Sequence, residues 1–185
     1  MSGVQVPSPR PADHLLTHLR SADGFVFHYT INMIALDCSF QGKGAVIVKI
    51  LVIDAQGGGI GRQVVAAIKA ARPDDVITAV GSNSLATSAM LKAGADQAAT
   101  GENAIVVGCR TADVIVGPVG IVIADSLLGE ITPAMAVAIG QSKAKRVLIP
   151  INHCDNMIVG VADLSVSRLI QNVVETIQDL AATCL

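Results

Sequence analysis

Aromatic residues are the scarcest class in this 185-residue chain, which has no tryptophan, one tyrosine and three phenylalanines. Phe25, Phe27, Tyr29 and Phe40 all fall in the first 47 residues, together with His14, His18 and His28, and residues 48–185 contain no Phe, Tyr or Trp. The larger part of the chain therefore has no ring on which a base could stack. With 13 Lys and Arg against 15 Asp and Glu it has no basic field for a phosphate backbone either, and nucleic acid is not an expected partner. Although 51% of the residues are hydrophobic, no apolar run reaches the roughly 18 residues of a bilayer-spanning helix. No membrane association is expected. Cys38, Cys109, Cys154 and Cys184 are far apart and form no C-x-x-C pair, which argues for reduced thiols and against a disulfide frame or a zinc site. Pro7, Pro9, Pro11 and His14 interrupt the segment where a secretory signal needs a continuous apolar core, so a cytoplasmic location is expected.

The aromatic-rich start and the aromatic-free remainder divide the chain into an N-terminal extension, 1–47, and one domain, 48–185. A domain of this size can bury about 70% of its unfolded surface and needs no staple. The extension reads in two ways. It is a modest addition with one strand over Phe25 to Ile34, or it lies outside the natural protein, because Lys43-Gly44-Ala45 can be encoded by a purine-rich ribosome-binding sequence and Val48 by a GTG start codon.

From Lys49 onward, short β-branched runs alternate with helical periodicity. Strands are predicted over Ile50 to Ile53, Val76 to Val80, Gln97 to Ala99, Asp113 to Gly117 and Val147 to Ile151, with a sixth, an edge strand, over Met157 to Val161. The first helix runs from Gly59 to Arg72, with Ile60, Val64, Val65, Ile68 and Ala71 on one stripe. The second opens on Ser84 as N-cap and ends at Gly94, and a short third helix runs through Cys109. Ile121 to Leu128 is apolar on every side and, after a Gly-Pro-Val-Gly turn, is expected to be helical. Thr132-Pro133 is a strong helix start, and Val166, Leu169, Ile170, Val173, Val174, Ile177 and Leu180 mark the clearest amphipathic helix. This alternation implies right-handed βαβ crossovers and an α/β fold: a three-layer, Rossmann-like, open and mostly parallel sheet with helices on both faces.

Within that pattern the chemistry concentrates after the first strand, in Asp54-Ala55-Gln56-Gly57-Gly58-Gly59-Ile60-Gly61. Glycines between a strand and a helix let backbone N–H groups approach an anion at the helix N-terminus. The loop spells neither G-x-G-x-x-G nor the Gly-Lys-Ser/Thr of a P-loop. It resembles the G-x-x-x-G-I-G loop of short-chain dehydrogenases, with Ala55 in the first glycine's place, and the Gly-rich first loop of tubulin-like GTPases. Residues 48–185 have no tyrosine, however, so the dehydrogenase catalytic tyrosine is ruled out. The expected ligand is a small phosphate-containing molecule, a nucleotide or an NAD-like dinucleotide, held by Gln56, Gly57, Gly58, Gly59, Ile60 and Gly61; packing of a tight turn without ligand is the plainer reading.

At the end of the second strand, where NAD-binding folds carry an acid for the ribose, the chain has Ser82-Asn83, which also suit an ordinary turn and cap. Thr100, Gly101, Glu102 and Asn103 are expected to line the same crevice. Asp54, Glu102 and Glu130 are the candidate acid-base groups, with Asp125 in a similar place. Asp54 would repel a phosphate unless Mg²⁺ lay between them, and its plainer role is to accept loop N–H groups. No metal site is expected. His153-Cys154 is the one imidazole and thiol pair of the domain, but neighbours at a strand end point to opposite sides.

The stretches Ile53 to Gly61, Gly81 to Ser84 with Ala86 to Met90, Ala99 to Ala104, Gly129 to Met135 and Ile149 to Asn152 resemble a family of short, uncharacterised bacterial proteins, found mainly in anaerobes and classed as a domain of unknown function. The family usually carries glycine at the position of Ala55. The resemblance implies a domain that starts near Val48 and contributes no activity. An enzyme acting on a small phosphorylated or acidic substrate, and a non-catalytic module that dimerises through the C-terminal helix, are the alternatives to nucleotide binding.

Overall fold

The computed structural model describes residues 46–151, 158–159 and 164–183. All but the last two residues of the expected extension, the His153-Cys154 pair and most of the expected sixth strand lie outside them. Ile158 and Val159, which are described, are not strand.

Five strands, β1 (Lys49–Asp54), β2 (Val76–Gly81), β3 (Gln97–Thr100), β4 (Val114–Pro118) and β5 (Lys145–Ile149), form one parallel sheet in the order β3-β2-β1-β4-β5. The helices are α1 (Gly59–Ala71), α2 (Ser84–Lys92), α3 (Glu102–Gly108), the irregular turn α4 (Ser126–Gly129), α5 (Pro133–Gln141) and α6 (Val166–Ala182). The chain moves outward from β1 to β3, then returns to β4 on the opposite side of β1. This Rossmann-like order makes the crevice between β1 and β4 a topological switch point.

Period-two alternation along β1 splits the core into two layers. Ile50 and Val52 face α1, α2 and α6 through Val64, Ile68, Met90, Ile170, Val173 and Ile177. Leu51 and Ile53 face α3 and α5 through Ile105, Met135 and Ile139. The β4 residues Val114 and Val116 join the first layer and Ile115 the second, all fully buried. Both faces of the central strands are therefore covered, which explains why they read as continuous apolar runs. The apolar stripe of α6, expected as a dimer face, packs on the sheet of its own chain, with Ile170, Val173, Ile177 and Ala181 buried.

Several boundaries differ from expectation. β5 begins two residues early, because Lys145 and Arg146 pair with Val114 and Ile115 before the apolar residues start. Asn83, not Ser84, caps α2, its side chain accepting from the Ala86 N–H at 2.9 Å. On α1, Gly61 is buried and Ala71 is exposed, reversing the expected edge of the stripe. The largest departure is the helix expected over Ile121 to Leu128. The chain instead makes a 3-10 turn over Val119–Val122 and then a largely left-handed turn, with φ of 61° at Asp125, 54° at Leu127, 61° at Leu128 and 81° at Gly129. Burial of Ile121, Ser126, Leu127 and Ile131 is achieved by folding the segment over itself, so hydrophobicity alone could not reveal its backbone.

The core arrangement predicts that Ile115→Ala, which empties the centre of the α3–α5 layer, lowers unfolding free energy by about 2–5 kcal/mol. Val137→Ala, on the exposed face of α5, changes it by less than about 0.5 kcal/mol. Urea denaturation followed by far-UV circular dichroism measures both.

Candidate functional site

β1 delivers Asp54 to the carboxyl edge of the sheet, where its carbonyl accepts from the Ser82 N–H at 3.0 Å and extends the pairing with β2. The Asp54 side chain turns under the glycine loop and is only 5% exposed. Oδ1 accepts from the Ala55 N–H at 2.8 Å and Oδ2 from the Gly61 N–H at 2.6 Å, and the Ile60 N–H is bonded to the same carboxyl group. Burial pushes the carboxyl above its ordinary value of 3.8, outweighing these three N–H bonds, and the nearby Glu130 charge acts in the same upward direction. With both oxygens bonded to backbone and turned away from solvent, Asp54 is a fastener of the loop. Accepting loop N–H groups is the plainer of the two roles expected of it.

The loop glycines are of two kinds. A Cβ on Gly58, whose φ is +64°, would lie 2.6 Å from the Ala86 Cα, and one on Gly61 would lie 2.5 Å from the Met90 Sδ. These two let α1 and α2 pack closely. A Cβ on Gly57 or Gly59 would meet nothing within 4 Å. No described residue accepts from the N–H of Gly57 or Gly59, and both groups belong to the loop and first turn that open α1. Ile60 is half-buried and leans on the core. Ala55 has no left-handed backbone angle and its carbonyl accepts from the Gly58 N–H at 3.0 Å, so alanine fits this position of the loop.

Glu130 organises the crevice above this loop. A single oxygen, Oε2, accepts from the Gln56 N–H at 3.0 Å, the Ser82 hydroxyl at 2.5 Å and the Asn83 side-chain amide at 2.7 Å. Asn83 also donates to the Gln56 carbonyl at 2.9 Å, which closes a ring of contacts joining the ends of β1 and β2 to the segment after β4. Oε1 accepts no bond from a described residue. Partial burial pushes the Glu130 carboxyl up, but the bonds from Ser82, the Gln56 N–H and Asn83 outweigh it and hold the group below its ordinary value of 4.5. It is therefore ionised at neutral pH.

The backbone around Glu130 is strained. Among the described residues the four non-glycine residues with left-handed φ are Gln56, Asp125, Leu127 and Leu128, all in the two loops that meet at this carboxylate. Such conformations cost about 1–3 kcal/mol each and persist only where their surroundings hold them. Here the Ser126 hydroxyl donates to the Gly120 carbonyl at 2.5 Å and the Asp125 N–H to the Ile131 carbonyl at 2.8 Å, while the Leu128 side chain is 93% exposed. Asp125 itself is exposed at the base of this turn.

The other expected crevice residues form a second group. Thr100 ends β3, with its hydroxyl 2.7 Å from that of Thr87, and the Gly101 N–H donates to the Gly81 carbonyl at 2.9 Å. Glu102 opens α3 and accepts from the Thr132 hydroxyl at 2.5 Å, so Thr132 links this group to Glu130 two residues before it. Asn103 lies apart from the glycine loop. Together with Thr100 it lines a groove of about 640 Å³ along β2, β3 and α3, walled by Thr78, Val80, Gln97 and Val107.

A family model described as Domain of unknown function (DUF3842) matches residues 49–182. The chain belongs to that family. The DUF3842 match opens on the first residue of β1 and closes on the last of α6, so it covers the sheet and every described helix. No curated protein matches the chain. In the DUF3842 domain, among the described residues, no three His, Cys, Asp or Glu side chains converge as a metal cage would require, and no helix is long and apolar enough to cross a membrane. Burial pushes the Cys109 thiol up to about 11, so it is no ready nucleophile.

Sequence reasoning missed the coupling roles of Thr87 and Thr132, and it named Glu130 only as a possible acid-base group. Across a separation of 74 residues, Gln56 and Glu130 carry no local signal for their contact, which exists because β4 returns beside β1.

Two measurements follow from this geometry. Gly58→Ala, strained by its φ and by Ala86, destabilises the domain by more than about 1 kcal/mol, whereas Gly59→Ala stays within about 0.5 kcal/mol of wild type; thermal melts compare them. The depressed Glu130 carboxyl contributes stability that is present above pH 4.5 and fades as pH falls through its lowered value. Asp54, raised above 3.8, acts in the opposite sense, favouring the fold as it takes up a proton and losing that contribution as pH rises through its raised value. Glu130→Gln should therefore lose less stability than wild type on acidification below pH 4.5, as read from urea midpoints across that range.

Proposed function

We propose that the carboxyl edge of the sheet binds a nucleotide or dinucleotide, with a phosphate against the N–H groups of Gly57 and Gly59. The observation that carries this reading is the division among the glycines. Gly58 and Gly61 are explained by packing against α2, but Gly57 and Gly59 have free space and N–H groups that no described residue accepts from, at the start of α1. Glycine at those two positions is not required by the fold, and close approach of a ligand to the backbone gives it a reason. The strand order supports the same location, because open parallel sheets bind ligands beyond their carboxyl ends at the switch point. The Asp54 carboxylate does not oppose an anion strongly there. It is buried beneath the loop, shared among three N–H groups and shifted toward its neutral form.

Isothermal titration with NAD, ADP and GDP tests the proposal. At least one is expected to bind in the micromolar range to wild type, and Gly59→Val, which adds bulk only on the open side, should weaken that binding at least tenfold without lowering the melting temperature. Absence of binding by all three at millimolar concentration overturns the reading, as does a Gly59→Val variant that binds like wild type.

A further inference from the structure

We infer that Glu130 is the hydroxyl-recognising residue of this site, accepting the ribose diol of an unphosphorylated nucleotide and turning away its 2′-phosphorylated counterpart. The inference rests on the nucleotide reading and adds the class of ligand that the site selects. In nucleotide-binding sheets of this strand order, an acid at the end of the second strand accepts the ribose hydroxyls. This chain has Ser82-Asn83 at that point and no acid. The structure supplies one from elsewhere, for the Glu130 carboxylate is hydrogen-bonded to both of those side chains.

Three further observations converge on the same role. Oε2 is fixed by three donors, which orients the carboxylate and leaves Oε1, free of any described partner, to accept from a ligand hydroxyl. The contact with the Gln56 N–H puts that carboxylate beside the loop whose next residues, Gly57 and Gly59, carry the unshared N–H groups. Among the described residues, all four left-handed non-glycine residues lie in the loops that hold Glu130 and Gln56, and strain of this kind gathers where a side chain must be aimed. A carboxylate held ionised accepts hydroxyl protons but meets a 2′-phosphate as like charge against like. Among the described residues no arginine is hydrogen-bonded to Glu130 to reverse that sign. The exposed Glu102 accepts from Thr132 and is hydrogen-bonded to none of Gln56, Ser82 and Asn83, so it does not serve this purpose.

The test measures affinity for two ligand pairs, NAD with NADP and ADP with 2′-deoxy-ADP, in wild type, Glu130→Gln and Ser82→Ala, with melting temperatures alongside. Wild type is expected to favour NAD over NADP and ADP over its deoxy form, each at least tenfold. Glu130→Gln, which keeps the shape but loses the charge, should bring the NAD to NADP ratio close to unity while lowering the melting temperature at neutral pH only modestly, by the stability its ionised form contributes. Ser82→Ala should lower affinity for both hydroxyl-bearing ligands while still disfavouring NADP. A merely structural Glu130 would move stability and leave both ratios as in wild type, and that result overturns the inference. If Gly59→Val abolishes NAD binding while Glu130→Gln keeps the wild-type ratios, nucleotide binding stands and this assignment falls. If no nucleotide binds wild type at all, both fall.

Discussion

The buried carboxylate of Asp54 is the interaction on which the carboxyl edge of this domain depends. It ends the central strand, and its two oxygens gather the N–H groups of Ala55, Ile60 and Gly61, so the strand, the glycine loop and the first turn of α1 are fastened at one point. Burying a carboxylate is costly unless hydrogen bonds compensate. Here the compensation comes entirely from backbone, and the raised affinity for a proton records that it is incomplete. Asp54 takes the N–H groups of Ala55 and Gly61, whereas those of Gly57 and Gly59 have no acceptor among the described residues.

Glu130 is the counterpart of Asp54 on the open side. Asp54 is buried and its carboxyl pKa is raised; Glu130 is partly exposed and held ionised by three donors from two places in the chain. The difference follows from environment alone: a dry pocket under a loop against a rim where a hydroxyl, an amide and a backbone N–H converge. Both loops that bring Glu130 to Gln56 carry left-handed residues, an unfavourable local arrangement that the buried Leu127 and Ile131 hold in place. In this domain the carboxyl edge is thus built around two acids in different settings, and the more exposed one is bonded to the residues that follow β2.

Much of the fold was legible. The alternation of short β-branched runs with helical stripes gave five strands within a few residues of their positions, because parallel strands buried on both faces leave an apolar signature in the chain. Thr132-Pro133 marked the start of α5 for a local reason, the threonine oxygen accepting from the Met135 N–H at 3.2 Å. The turn after β4 was not legible. Its residues are as apolar as a buried helix, and only their packing against Gly120 and the second core layer decides that they fold left-handed.

For the candidate site the same division holds. The sequence by itself determined that a glycine loop follows the first strand and opens a helix, and that Ser82-Asn83 end the second, since these are properties of contiguous residues. It also offered Asp54 as an acceptor of loop N–H groups, the plainer of two roles, because that contact spans seven residues at most. Tertiary structure alone decided which glycines are packed and which are open, because that depends on where α2 crosses α1. It alone brought Glu130 to Gln56, Ser82 and Asn83, across separations of 74, 48 and 47 residues. The physical reason is topological: reversal of strand order sets β4 beside β1, and only then can a loop after the fourth strand supply the acid that the second strand lacks.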